Sequence, residues 1–326
     1  MTERLAPVAV VVVTWNSSRW IEECLTSVFG LERRPAEIVV VDNGSTDRTA
    51  SRVRERFPEA RLIECGANVG FCRANNLGIA ETTSPFVLVL NPDTRLEPAF
   101  LESLLPAFED RSIGMAAGKL LRFDGVTIDS AGQELARSRQ PIDRGYGLRD
   151  DGRFDVDRPV FGVCGAAALY RRAMLEAVAE EGDRYFDDAF FAFYEDLDLA
   201  WRARRHGWRA AYRHRAVGYH ARGGTRAEPG PIPRWTAIIR RPPEIRFHIV
   251  KNRYLAILKN DTRAAYIRNL PFIFARDLAT LGLLLVTSPG VLGRLWKERS
   301  IFREALRKRK LDSGPTGHHV EGGGGA

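Results

Sequence analysis

Ile38-Val39-Val40-Val41-Asp42-Asn43-Gly44-Ser45-Thr46-Asp47 decides the fold. Four β-branched residues in succession give way abruptly to six polar or turn-forming ones. Stiff β-branched side chains suit a pleated strand, and an unbroken apolar run, as opposed to an alternating one, predicts a strand buried on both faces of a parallel sheet. Ligands of open parallel sheets bind beyond the carboxyl ends of the strands, which is where Asp42 falls.

Working outward, the same pattern repeats. Val8–Val13 runs into Thr14-Trp15-Asn16-Ser17, and Phe86–Leu90 runs into Asn91-Pro92-Asp93-Thr94. Arg61–Glu64 and Met115–Gly118 are further apolar runs, and helical spacing fills the intervals near Trp20–Phe29, Thr46–Phe57, Arg73–Ala80 and Pro98–Phe108. Strand–helix alternation of this kind predicts an α/β fold, a mostly parallel central sheet with helices on both faces. Ser45 is the expected N-cap of the second helix.

Residues 120–162, rich in Gly, Asp and Arg, read as an irregular acceptor-side excursion. Regularity returns with a strand at Cys164–Tyr170, a helix at Arg171–Ala179, a stronger helix at Glu195–His206 stopped by Gly207, and short strands at Arg209–Tyr212 and Val217–Tyr219. Five prolines between Ala227 and Pro243 then end the pattern. The expected organisation is a catalytic-type domain over 1–226, a Pro-rich connector over 227–245, helices over 246–310, and a disordered tail over 311–326 that holds His318-His319 and Gly322–Gly325.

Composition places the chain among ordinary globular proteins: 326 residues, 44% hydrophobic and 28% charged. Four cysteines without a CxxC pair fit reduced thiols in a cytoplasmic chain. The six-residue run Val8–Val13 is too short for a secretory signal, and no stretch offers the roughly 20 uninterrupted apolar residues of a spanning helix. The net charge of +8 is concentrated: Asp261 to Lys310 holds eleven Lys/Arg against four Asp/Glu, a local +7.

The first strand is not followed by GxGxxG, which argues against a dinucleotide cradle. Asp42 can accept a hydrogen bond from the N–H of a uracil or thymine ring, although Asp42-Asn43-Gly44 also fits a plain turn. Asp93, delivered by a buried strand, can hold Mg²⁺ or Mn²⁺ against a diphosphate leaving group; an Asn-Pro-Asp turn is the bland reading. Glu195 and Asp196 open a helix directly after five aromatic residues in nine (Tyr185, Phe186, Phe190, Phe191, Phe193). That setting suits a partly buried general base, the alternative being simple complement to the helix dipole and, for Asp198, an i,i+4 pair with Arg202. His220 is either structural or a nitrogen ligand, which favours Mn²⁺ over Mg²⁺.

These motifs occur in a known order. Thr14-Trp15-Asn16, Val39 through Asp47, Asn68-Val69-Gly70-Phe71 with Ala74-Asn75-Asn76, Asn91-Pro92-Asp93 and Glu195-Asp196 together resemble family 2 glycosyltransferases, in particular the rhamnosyltransferase-like branch, over residues 8 to about 224. The resemblance implies a GT-A (Rossmann-like) fold and an inverting, metal-dependent transfer of sugar from a nucleotide-diphosphate donor. It implies that Asp42 reads the base, that Thr14 and Asn16 seat the nucleotide with Asn68 and Gly70 nearby, and that Asn91 and Asp93 match an Asp-x-Asp metal motif whose first acid is here a neutral Asn. His220 matches a histidine metal ligand, Asp196 the general base, and Gly165-Ala166 the acceptor-side loop. Thymidine-diphosphate rhamnose is the first donor expected and a UDP-sugar the second, with a lipid-linked or polysaccharide acceptor of cell-envelope glycan synthesis.

The apolar run Leu278–Leu285, followed by Arg294, Lys297, Arg299, Arg303, Arg307, Lys308, Arg309 and Lys310, predicts a helical segment lying on an anionic membrane surface. A packed appendage with a basic face is the alternative. The charge is not interleaved with stacking aromatics, so no nucleic-acid partner is expected. Two further readings compete with a transferase. A nucleotidyltransferase needs a Gly/Arg/Lys-rich phosphate loop after the first strand, which is missing, and a silent nucleotide-sugar sensor has no use for Asp93 and Asp196 together.

Overall fold

The computed structural model describes residues 5–180, 182–222, 238 and 240–311. At its centre lies β1 (Ala6–Thr14), buried along almost its whole length and paired in parallel with both β2 (Pro35–Asp42) and β4 (Phe86–Leu90). β3 (Arg61–Glu64) extends the parallel half beside β2, giving the order β3-β2-β1-β4. Beyond β4 the sheet becomes mixed: β11 (Ala167–Arg171) inserts antiparallel between β4 and β6 (Ile113–Leu121), β12 (Arg209–His220) runs parallel to β6, and β10 (Arg158–Val160) closes the edge. The short strands β5 (Thr94–Leu96) and β7 (Ile128–Ser130) pair with β12 and β6, and β8 (Gln133–Leu135) with β9 (Pro141–Asp143) forms a separate hairpin.

Side-chain alternation along β1 divides the core into two layers. Val8, Val10 and Val12 pack against α1 (Ile21–Phe29), α2 (Thr49–Arg56) and α4 (Phe100–Leu104). On the other face Val11, Val87 and Val89 meet α3 (Phe71–Ala80), α5 (Arg172–Ala177) and α6 (Glu195–Arg205). Helices thus cover both faces of the sheet, and the loops after β1, β2 and β4 gather at the carboxyl ends of the strands.

The structure departs locally from the sequence expectations. α2 starts at Thr49, and Ser45 is not its cap: the Ser45 hydroxyl accepts the Asn16 N–H at 2.9 Å instead. The two strands expected after Gly207 are one, β12, with a register shift between Arg213 and Val217. Residues 120–162, expected to be irregular, carry β7 to β10. Gly223-Gly224, most of the Pro-rich stretch and the tail from residue 312 lie outside the described residues.

Four helices follow: α7 (Pro243–Asn260), α8 (Arg263–Thr287), α9 (Pro289–Lys297) and α10 (Ser300–Leu311). α7 is built into the protein, with Leu255 and Ala256 in the same apolar cluster as α6. Asp198 does pair with Arg202 (2.9 Å), and it also receives Lys259 (3.1 Å) and Asn260 (2.8 Å) from α7. Its carboxylate joins two helices and takes no part in the open edge. α8 is different. Ile267, Phe274, Leu278, Leu285 and Val286 are exposed, Val286 by 83%. Its 25 residues rise about 37 Å against a hydrocarbon core of about 30 Å, and the mean hydropathy of its most apolar stretch is 1.6, so by length and composition it can cross a membrane. It is longer than the run Leu278–Leu285 alone suggests, and is interrupted by Arg276 and Asp277.

Candidate active site

The loops after β1 and β2 are tied into one surface. The Thr14 hydroxyl donates to Asp42 Oδ1 (3.0 Å), the Ser45 N–H donates to Asp42 Oδ2 (3.0 Å), and the Asn43 N–H reaches the Thr14 carbonyl (2.7 Å). Asn16, in the left-handed region at φ 51°, accepts the Thr46 N–H on its side-chain oxygen at 2.8 Å. Gly44 (φ 74°) makes the turn possible, because a Cβ there would stand 2.5 Å from the Ala67 carbonyl carbon. The third loop joins through Asn68, whose Oδ1 accepts from Asn43 (3.1 Å) and from the Gly70 N–H (3.0 Å), while Val69 N–H donates to Asn43 (2.8 Å). Gly70 (φ 92°) lies against the Phe191 ring, 2.7 Å from where a Cβ would be. Thr14, Asn16, Asp42, Asn68 and Gly70 therefore share one continuous hydrogen-bonded shelf.

Next to the shelf stand Asn91 and Asp93. Asn91 N–H donates to the Ala166 carbonyl (2.9 Å), and Thr94 Oγ1 reaches the same oxygen (3.3 Å). Asp93 Oδ1 lies 3.3 Å from His220 Nε2, at the end of β12, where His220 is in register with Thr94 of β5. The other imidazole nitrogen, Nδ1, bonds Asp129 Oδ2 at 2.9 Å, and Arg222 bridges Asp129 to Asp143. Burial disfavours the imidazolium, but the bonds to Asp129 and Asp93 outweigh it and hold the His220 pKa at about 9. Burial likewise raises the fully buried Asp129, and His220 and Arg222 overcome it, leaving a lowered pKa.

This donor set suits a divalent cation. A carboxylate behind the imidazole fixes its orientation, the usual arrangement for a metal-binding histidine, and Nε2 would become the ligating nitrogen once a cation displaced the proton it shares with Asp93. Among the described residues no cluster of three His, Cys, Asp or Glu converges as a closed cage. A two-residue pair matches ions that take their remaining ligands from phosphate and water.

Asp196 faces the same edge. Its Oδ2 accepts the Gly165 N–H (3.1 Å) and the Gln133 side-chain amide (2.7 Å). Because Gly165 is bonded to Asp196 and Ala166 to the Asn91–Thr94 turn, this one dipeptide sets the spacing between the two acids. Burial raises the Asp196 pKa above the ordinary carboxylate range, with the Gly165 N–H pulling it back. Glu195 beside it is buried; desolvation first, and then the charge of Asp196, push its pKa to about 8, and its Oε2 has no hydrogen-bond partner. The two carboxyls sit in unlike surroundings: Asp196 has two hydrogen-bond donors on one oxygen, whereas Glu195 Oε2 has none, and burial raises both. Three residues just before them, Phe191, Phe193 and Tyr194, have φ between 65° and 71°, a strain of about 1–3 kcal/mol each that only the surroundings can sustain.

The raised Glu195 pKa carries a sign. A folded-state pKa above the unfolded one near 4.5 means that stability falls as pH climbs from about 4.5 towards 8. Glu195→Gln removes that loss. Its melting temperature relative to wild type should rise between pH 5 and pH 9, by the equivalent of at least about 1 kcal/mol. A constant difference across that range would mean that Glu195 ionises freely in the folded protein.

The sequence profile described as Glycosyl transferase family 2 matches residues 9–179, more than half of the chain. The chain belongs to glycosyl transferase family 2. It is 31% identical over 228 residues to the N-acetylglucosaminyl-diphospho-decaprenol L-rhamnosyltransferase of Mycobacterium tuberculosis, covering 62% of this chain and 72% of that protein. To the low-salt glycan biosynthesis hexosyltransferase Agl10 of Haloferax volcanii it is 25% identical over 209 residues, 62% of each chain. Among solved structures, S. aureus TarS 1-349 in complex with UDP superposes with a TM-score of 0.58 at 18% identity (93% of this chain, 81% of that one). The mannosyltransferase PcManGT of Pyrobaculum calidifontis, in complex with GDP-Man and Mn²⁺, gives 0.54 at 18% identity (95% and 86%). The fold of this family 2 glycosyltransferase is therefore GT-A.

Three residues of this glycosyltransferase that sequence reading did not single out stand beside the acids: Asp129, Gln133 and Arg222. Asp129 and Gln133 come from strands of three residues, too short for any periodic signal. In the fold Ile128, Asp129 and Ser130 are all buried, and a buried acid requires partners, which His220 and Arg222 supply across long sequence separations.

Proposed function

We propose that this family 2 glycosyltransferase transfers a sugar, rhamnose from thymidine-diphosphate rhamnose, with inversion, to a hydroxyl of a lipid-linked or polysaccharide acceptor in cell-envelope glycan synthesis. The observation that carries the reading is the Gly165-Ala166 bridge, which holds a raised-pKa carboxylate at a fixed offset from the Asn91–Asp93 turn. The relative that acts on a diphospho-decaprenol acceptor supports the choice of sugar and of acceptor class.

In this reading the acceptor oxygen attacks the anomeric carbon as its proton passes to Asp196, the bond from that carbon to the diphosphate oxygen breaks, and the nucleoside diphosphate leaves. Asp42 receives the imide N–H of the base, and Thr14, Asn16, Asn68, Gly70 and Asn91 shape the nucleotide shelf. Gly165 and Ala166 border the acceptor. Asp93 and His220 would hold Mn²⁺ or Mg²⁺, which when bound supplies positive charge opposite the diphosphate. Asp129 keeps the His220 ring turned towards Asp93.

Uracil and thymine present the same imide to Asp42, so binding and donor choice are tested separately. Asp42→Ala should weaken calorimetric binding of dTDP and UDP alike by about 1–3 kcal/mol, the cost of leaving a buried donor without its acceptor. Unchanged affinity would remove Asp42 from the nucleotide site.

Exposed apolar residues of α8 and the exposed Lys297, Arg299, Arg303 and Arg307 support attachment to the anionic inner face of the cell membrane. Leu278→Asp with Val286→Asp should lower co-flotation with phosphatidylglycerol vesicles, and wild-type binding should weaken with salt, each basic residue contributing about 1 kcal/mol. Equal flotation of variant and wild type would exclude α8 from the contact.

A further inference from the structure

The turn that delivers the acids is held almost entirely from α7. Five consecutive carbonyls, Ala189 to Phe193, each accept a hydrogen bond. Lys251 Nζ reaches Ala189 O (2.5 Å), and Cys72 N–H reaches Phe191 O (3.1 Å). The remaining three converge on one side chain: Asn252 Nδ2 lies 2.8 Å from Phe190 O, which also accepts the Ala192 N–H (2.8 Å), 2.7 Å from Ala192 O and 2.7 Å from Phe193 O. An amide nitrogen has two hydrogens, so one is shared between carbonyls. Asn252 is fully buried and its own oxygen has no hydrogen-bond partner, so the side chain's polar bonding is directed wholly at this turn. One turn earlier His248 stacks on Phe191, with ring centroids 4.9 Å apart and planes 14° apart.

Two turns later on the same helix, Lys259 and Asn260 hold Asp198. α7 thus grips the chain ahead of Glu195 and again behind it, with Asp196 between the two grips. The left-handed residues Phe191, Phe193 and Tyr194 would relax towards ordinary backbone angles without those carbonyl bonds, and the start of α6 would rotate with them.

We propose that Asn252 is a positioning residue for the transfer reaction, fixing through the three carbonyls of the 190–193 turn the direction in which the Asp196 carboxylate meets the acceptor. The inference rests on the reading of Asp196 as the base. Asn252→Asp preserves the shape and replaces the shared donor with an acceptor that repels the carbonyls.

The test is a double-mutant cycle on the full chain, using dTDP-rhamnose and a short-chain prenyl-diphospho-N-acetylglucosamine, with single-turnover transfer and calorimetric dTDP binding measured on each variant. Asn252→Asp should lower the transfer rate about 10- to 100-fold and leave dTDP affinity within about 3-fold. In the Asp196→Asn background the same change should cost less than about 3-fold, because a misplaced base matters only while there is a base. Losses that multiply, or a rate for Asn252→Asp within about 3-fold of wild type, would overturn the proposal. If Asp196→Asn alone keeps the wild-type rate, the base reading itself has failed, which is a separate result. If Asn252→Asp does not fold, Lys251→Met, which strips a single carbonyl partner, carries the same cycle with an expected loss of about 3- to 10-fold, and multiplying losses there overturn the proposal equally.

Discussion

Asp196→Asn is expected to slow sugar transfer by roughly 10²- to 10⁴-fold while nucleotide affinity stays within a few-fold of wild type. The substitution keeps the shape, and it keeps an oxygen that can accept the Gly165 and Gln133 hydrogen bonds, so the loop that joins it to Asn91 remains in place. What it loses is the capacity to take a proton. Burial has already raised the basicity of this carboxylate, which improves a general base as long as it remains ionised. If Asp196 served only as complement to the α6 dipole, the variant would lose less than about 1 kcal/mol of stability and almost no rate. Single-turnover transfer and thermal melting on the same preparation separate the two. A normal rate in a slightly less stable protein would shift attention to Glu195, the neighbouring acid.

Chelation is the second large effect. EDTA should abolish transfer, and Mn²⁺ should restore it at least as well as Mg²⁺, because a nitrogen donor at His220 suits the softer ion. Asp93→Asn and His220→Ala should both raise the Mn²⁺ concentration required for half-maximal rate. Asp129→Asn, which touches no ion but holds the imidazole, should weaken Mn²⁺ binding by about 10- to 100-fold. Electron paramagnetic resonance of bound Mn²⁺ reads the same order without reference to turnover. Full activity in excess chelator would remove the ion from the reaction and with it the roles given to Asp93 and His220.

The parallel half of the sheet was legible because buried parallel strands announce themselves as unbroken apolar runs, and because a polar residue that ends such a run falls at the carboxyl end of its strand. Asp42 and Asp93 could be placed on that ground alone. The mixed half was not legible. β7 to β10 have three residues each, below the length at which any period can be counted, and their contribution is made by contacts across long separations: Gln133 to Asp196, Asp129 to His220, Arg222 to Asp143. β12 read as two strands because Arg213-His214-Arg215 interrupts it; in the fold, Arg213 and His214 both turn to Asp157 and the strand continues past the bulge.

α7 was misleading in another way. Lys251, Asn252, Arg253, Lys259 and Asn260 have the composition of a solvated face, yet all are buried, each answering a carbonyl or a carboxylate of the chain that precedes α7. Polar residues with partners pack as core, and sequence alone does not reveal the partners.

Incubating the purified full chain with dTDP-rhamnose, UDP-sugars and GDP-mannose, each with Mn²⁺ and a prenyl-diphospho-N-acetylglucosamine, tests the central claim most directly. Mass spectrometry should find one donor consumed, its nucleoside diphosphate released, and the lipid heavier by one sugar in equal amount, all lost in Asp196→Asn. Nucleotide that binds without any donor being consumed or any lipid gaining mass would contradict a transferase and leave a nucleotide-sugar sensor.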